Sequence, residues 1–177
     1  MGKIRITFLT ICVIGLGACA SKPEKPTCEA RDWYELGRRD GAQGSSTEQL
    51  HRYATDCRKA AAAEWETMYT NGRNAGLVEY CSPDNGYELG RMGHTYLYVC
   101  PSTVEPQFLS SYRRGQRVRD LEISSKKISS KIETVAEQIN RSQNQFERLK
   151  LTSELAKLEA ERSQVEKKLD TITSTKK

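Results

Sequence analysis

Residues 32–41 read Asp-Trp-Tyr-Glu-Leu-Gly-Arg-Arg-Asp-Gly. Tyr34 is followed three residues later by Gly37, and Gly41 stands four residues further on. The same tyrosine-to-glycine step recurs at Tyr69–Gly72, Tyr87–Gly90 and Tyr112–Gly115. A second glycine follows four residues on at Gly76 and three residues on at Gly93, and an arginine directly follows Gly37, Gly72 and Gly90. Glycine costs a helix interior nearly 1 kcal/mol against alanine, so its repeated use needs a reason. Spacings of three and four put the tyrosine and its glycines on one helical face. Such a face is smooth, and another helix or a ring can come close to it. One use is core packing between short helices. The other is a groove for a glycan or peptide, with Trp33, Tyr34, Tyr69 and Tyr87 as its candidate residues.

Local signals around these motifs favour short helices. Asp32…Glu35 and Ser46…Gln49 have the form of capping boxes. Ala60 to Ala63 favours helix and leads into Trp65 and Met68. Ser82-Pro83 sets proline at a first helical position, although Asn85-Gly86 also has the composition of a turn. Thr95 to Val99 is the one β-like run, closed by Pro101, and is expected to be extended.

Four cysteines punctuate the same region: Cys28, Cys57, Cys81 and Cys100, at gaps of 29, 24 and 19 residues. None forms a Cys-x-x-Cys pair, which argues against zinc. An even set in an exported chain reads as disulfides, with three pairings open. Each bridge contributes on the order of 2–4 kcal/mol, which a domain with few large apolar residues needs.

Cys28 with DWYELGRRDG (32–41), NGRNAGL (71–77), EYC (79–81), NGYELGRMG (85–93) and YVCP (98–101) together resemble an uncharacterised bacterial lipoprotein family, domain of unknown function 2799. The resemblance runs from about Cys28 to Gly115. It implies an envelope protein that often continues into a Glu/Arg-rich helical tail. It carries no assigned activity or catalytic residue.

Upstream, MGKIRITFLTICVIGLGAC has a basic start at Lys3 and Arg5 and a 12-residue apolar stretch, Ile6 to Gly17. That is short of the ~20 residues a bilayer span needs and fits a secretory signal. Leu16-Gly17-Ala18-Cys19 resembles a lipobox, which makes 1–18 a lipoprotein signal peptide and Cys19 the lipidated residue. More than one acyl chain makes a firm anchor. Ala20 after the cysteine favours the outer membrane, by resemblance to Gram-negative lipoproteins. Residues 19–27, with Pro23 and Pro26, read as an extended tether.

Downstream, composition changes. After Gly115 no Gly, Pro, Cys, Tyr or Trp occurs. Residues 28–115 carry 10 basic and 12 acidic side chains, and residues 116–177 carry 14 and 10. Two heptad series follow: Leu121, Ile128, Ile132, Val135, Ile139, then Leu151, Leu155, Leu158, Val165, Leu169, Ile172. They differ in phase, and Asn140 to Gln145 between them holds no apolar residue. This predicts a reversal and an antiparallel coiled-coil hairpin, with one long helix as the alternative. Phe146 and Leu149 still fit the first phase, and Arg162 falls at a seam position. Mixed charges along both arms read as a solvated face, not a nucleic-acid surface. Lys176 and Lys177 end the chain as a basic tail.

The expected architecture is mainly α. A disulfide-bonded domain of short helices (28–112) precedes a helical coiled-coil region (113–177). No phosphate loop, G-x-S-x-G or H-E-x-x-H occurs, and only His51 and His94 are available as neutral-pH bases. The chain is therefore expected not to be an enzyme and to use neither cofactor nor metal. The expected function is that of a membrane-anchored envelope interaction or scaffold protein, facing the periplasm. Its partner is an envelope protein or the cell wall, and its coiled coil can pair copies of the chain. The alternative is a peptidoglycan-, glycan- or peptide-binding module.

Overall fold

The computed structural model describes residue 28, residues 30–57 and residues 64–174. The signal peptide, Cys19, the tether, Ala60 to Ala63 and the two terminal lysines lie outside the described residues. Among the described residues the regular elements are all helices: α1 (Trp33–Ala42), α2 (Glu48–Cys57), α3 (Trp65–Tyr80), α4 (Pro83–Met92), α5 (Glu105–Arg141) and α6 (Gln145–Ser174). None of these helices is long and apolar enough to cross a membrane.

The helix starts follow local chemistry. Asp32 caps α1 by accepting from the Glu35 backbone N–H at 2.9 Å. The reciprocal half of that capping box is absent, because the Glu35 carboxylate pairs with Arg38 at 2.8 Å. Ser82 caps α4 through the Asn85 N–H, with Pro83 in the first turn. Asn85-Gly86 is therefore helix, not turn. Residues 94–97 form no regular element, and Tyr98 takes a left-handed backbone with φ 55°.

The helices pair through their glycines. A Cβ at Gly37 would lie 2.1 Å from the Tyr69 carbonyl oxygen, and one at Gly72 would lie 1.9 Å from that of Tyr34. One turn on, Gly41 meets the Arg73 carbonyl oxygen and Gly76 that of Arg38. The contacts advance in the same direction along both helices, so α1 and α3 run parallel with their backbones touching. At this distance Cα–H groups face carbonyl oxygens, a weak attraction repeated on both sides. α4 and α5 repeat the arrangement: Gly90 meets the Tyr112 carbonyl oxygen at 2.0 Å and Gly115 that of Tyr87 at 2.1 Å.

Parallel helices need a returning segment. In the first pair it is α2, and in the second it is the irregular chain 93–104. A disulfide closes each return: Cys28–Cys57 in the first pair and Cys81–Cys100 in the second, each with Cα atoms 5.6 Å apart. The two pairs are the same unit used twice. The step from Cys28 to Tyr34 equals that from Cys81 to Tyr87, and the step from Cys57 to Tyr69 equals that from Cys100 to Tyr112. Only the return differs, by the ten residues between separations of 29 and 19.

Each unit has its own core against its disulfide. Trp33, Cys57, Trp65 and Tyr69 fill the first, with the two indoles 4.6 Å apart. Leu77, Tyr80, Tyr96 and Phe108 fill the second around Cys81 and Cys100. Phe108 stands where Trp65 stands in the first unit. Gly86 replaces Trp33, and a Cβ there would lie 3.0 Å from the Phe108 ring. Tyr80, from the end of α3, stacks on Phe108 instead at 5.7 Å and so joins the units.

α5 does not stop at the compositional boundary near 112–116. It carries the last tyrosine–glycine motif and then continues as the first arm of the hairpin. Gly115 and Val118 are still buried against α4, and Arg91 of α4 pairs with Glu122 at 2.8 Å. The reversal occupies Ser142 to Asn144, so the arms form an antiparallel hairpin. Asn144 Oδ1 accepts from the Phe146 and Glu147 N–H groups and caps α6, while Ser142 Oγ bonds the Glu147 carboxylate.

Candidate functional site

The proposed aromatic groove does not form. Trp33, Tyr69 and Tyr87 are buried, at 2%, 1% and 6% exposure, and only Tyr34 is substantially open, at 44%. The smooth faces that the glycines provide are filled by partner helices, so the rings are core. The reason is mutual: each tyrosine–glycine motif offers its own carbonyl oxygen to the glycine of another motif, and no gap is left for a ligand. Guanidinium groups cover two of the rings, with Arg31 over Trp33 and Arg114 over Tyr87, each 5.1 Å from the ring centre.

The first unit contains one buried polar network. Tyr69 Oη donates to Asp40 Oδ2 at 2.8 Å, and Asp40 is only 8% exposed. Burial, and next the bond to the Asp40 carboxylate, hold the Tyr69 phenol well above its ordinary range. Arg73 Nη2 donates to the Ser45 carbonyl oxygen at 2.9 Å and ties the loop after α1 to α3. In the second unit Tyr96 Oη donates to Glu105 and accepts from the Cys100 N–H. Burial is the main cause that pushes its pKa up to about 12. Tyr112 Oη donates to the His94 carbonyl oxygen at 2.5 Å.

His94 and His51 are both exposed. Among the described residues no group of three or more His, Cys, Asp or Glu is placed to hold a metal ion. All four cysteines named from the sequence are in the two disulfides, whose pairing the sequence left open. The equal cysteine-to-tyrosine steps were the signal that could have paired them.

The hairpin is the most incompletely covered part of the described chain. Ile128 and Val135 of α5 are buried, at 5% and 6% exposure. Leu121, Ile132 and Ile139 are half-buried, as are Leu151, Leu155, Leu158, Val165, Leu169 and Ile172, and α6 has no buried residue at all. A single partner arm covers one side of each stripe only. Arg162, at its seam position, lies half-buried 3.5 Å from Glu166. Near the reversal, Phe146 and Leu149 leave the first phase and are exposed, at 79% and 70%. At the other end, Leu121 and Ile172 border an apolar cleft of about 530 Å³, flanked by Arg117, Lys167 and Lys168.

The comparisons agree with the part of the chain that the glycines organise. No curated protein and no solved structure matches the chain. A family model described as "Protein of unknown function (DUF2799)" matches residues 32–117, from the cap of α1 to just past the last tyrosine–glycine motif. The match supports a DUF2799 domain across the two glycine-locked units, with the helical hairpin lying beyond it.

Proposed function

We propose that the protein is an exported, lipid-anchored envelope protein, and that its hairpin docks a helical segment of another envelope protein. The uncovered seam carries this reading. Every apolar residue of α6 keeps part of its surface in water, and a two-helix hairpin has no third element to cover it. At the reversal, Phe146 and Leu149 add an exposed apolar pair on the outer face of α6. Two disulfides in one small domain support an oxidising compartment. The sequence around Cys19 supports the anchor. This reading assigns catalysis no part.

Two experiments test the proposal. Labelling cells with a fatty-acid analogue should mark the wild type and not Cys19→Ala, which should also leave the membrane fraction. Photo-crosslinking in cells from position 146 should give one discrete protein adduct, and a probe at the exposed Ser124 should give none. Adducts absent from 146, or a smear equal at both positions, would remove the hairpin as the recognition element.

A further inference from the structure

We infer that the cleft between the two glycine-locked units is a binding site for a neutral saccharide carrying an acetamido group. The cleft encloses about 310 Å³ where the loop after α1 meets α4 and the irregular return 93–104. That volume suits one sugar ring with its substituents, at the small end of ligand sites, and junctions between structural units are where such sites concentrate.

The floor is Tyr80. Its side chain is more than nine-tenths buried, at 6% exposure. Gly44 makes that placement possible: its backbone is left-handed at φ +66°, and a Cβ there would lie 2.1 Å from the Tyr80 ring. Among the described residues, the hydroxyl of Tyr80 has no hydrogen-bond partner, unlike those of Tyr69, Tyr96 and Tyr112. The hydroxyl itself is not sealed from solvent, so it stands open to the cleft as a donor for what enters there. Burial keeps that phenol protonated.

The walls are polar. Gln43, Asn85, His94 and Thr95 line them, and no carboxylate, lysine or arginine does. Asn85 is held in place because its Nδ2 donates to the Tyr80 carbonyl oxygen, which leaves its Oδ1 as an acceptor. Carboxamides and hydroxyls both donate and accept, as sugar hydroxyls and acetamido groups do. Leu89 and Leu97 complete the lining with aliphatic surface, suited to a ring C–H face and an acetamido methyl. A cation would find no carboxylate here. The return 93–104 is fixed at both ends, by the Tyr112–His94 bond and by the Cys81–Cys100 bridge, so little ordering is needed on binding.

This site is separate from the hairpin and stands or falls without it. The test uses the full chain in detergent, uniformly labelled, titrated with N,N′-diacetylchitobiose and followed by amide chemical shifts. Saturable shifts are expected at residues 43, 44, 85 and 94–97, with millimolar affinity. Tyr80→Phe keeps the ring stack on Phe108 and should weaken binding about fivefold, the worth of one ordinary hydrogen bond. Gln43→Ala, at an exposed position, should weaken it with no change in melting temperature, and carries the test if Tyr80→Phe unfolds. Maltose, which lacks the acetamido group, should bind more weakly. The inference is overturned if the shifts are absent or lie elsewhere, or if Tyr80→Phe folds and binds as the wild type does. Equal binding of maltose, or shifts produced by a neutral tri-alanine amide and not by the saccharide, overturns the ligand class.

Discussion

A single methyl group at Gly37 would sit 2.1 Å from a backbone oxygen, and a backbone cannot step aside as a side chain can. Gly37→Ala must therefore push α1 away from α3 and loosen every reciprocal contact at once. Equilibrium urea unfolding should show a loss of about 2–4 kcal/mol, within the range for overpacked cores. Ser124→Ala, on the exposed face of α5, should change stability by no more than about 0.5 kcal/mol. The buried phenols give a second prediction. Tyr69, Tyr80 and Tyr96 hold their protons more tightly when folded than in the unfolded chain. Their contribution is complete below the ordinary phenol value of about 10 and is lost as pH rises above it. The urea midpoint should fall with rising pH in that alkaline window, and Tyr80→Phe should make the fall shallower. The tyrosine–glycine spacing was legible in the sequence, and it pointed correctly to close helix packing. Its partners were not, because each glycine meets a backbone carbonyl, which every residue has. Trp33, Tyr69 and Tyr87 looked equally suited to wall and core, and only the position of the opposing helix decides between them.

At the scale of elements, the two disulfides do equivalent work in equivalent units. Proteolysis without reduction should give Cys28–Cys57 and Cys81–Cys100 peptides and no other pairing. Replacing Cys81 and Cys100 by serine should cost about 2–4 kcal/mol. The loss should be centred on the second unit, seen as faster amide exchange in α4 ahead of α1. The hairpin reversal was readable from the polar run between two heptad series of different phase. Its boundary with the domain was not. Composition changes at Gly115 because the need for glycine ends there, while the helix continues, since nothing in Gln116 to Leu121 stops it. Phe146 and Leu149 keep the period of the first arm in the sequence. The cap at Asn144 starts a new helix with its own phase, which puts them in solvent.

For the whole molecule, the shared helix decides where the chain can be divided. A chain ending at Gly115 loses Val118, which is 1% exposed, and the Arg91–Glu122 pair. Circular dichroism melts should show that truncation well below the full chain. A chain ending at Ser124 keeps both contacts and should retain a cooperative transition. Co-purification of the partner named by crosslinking from position 146 should be lost from either truncation if the hairpin is the docking element, so the longer one separates loss of docking from loss of folding.

The single helix α5 also sets a length. Between Val118, locked in the second unit, and Arg141 at the reversal, the helix advances about 35 Å at 1.5 Å per residue. Neither glycine nor proline interrupts that stretch, and α6 braces it along one side. The reversal is therefore held at a set height above the paired units, as the end of a strut is held above its footing. On the proposed function, a partner that docks at Phe146 and Leu149 would be held at that height, so the hairpin would act as a gauge as well as a grip. Adding or removing one heptad in both arms would move the contact by about 10 Å without altering a residue that makes it.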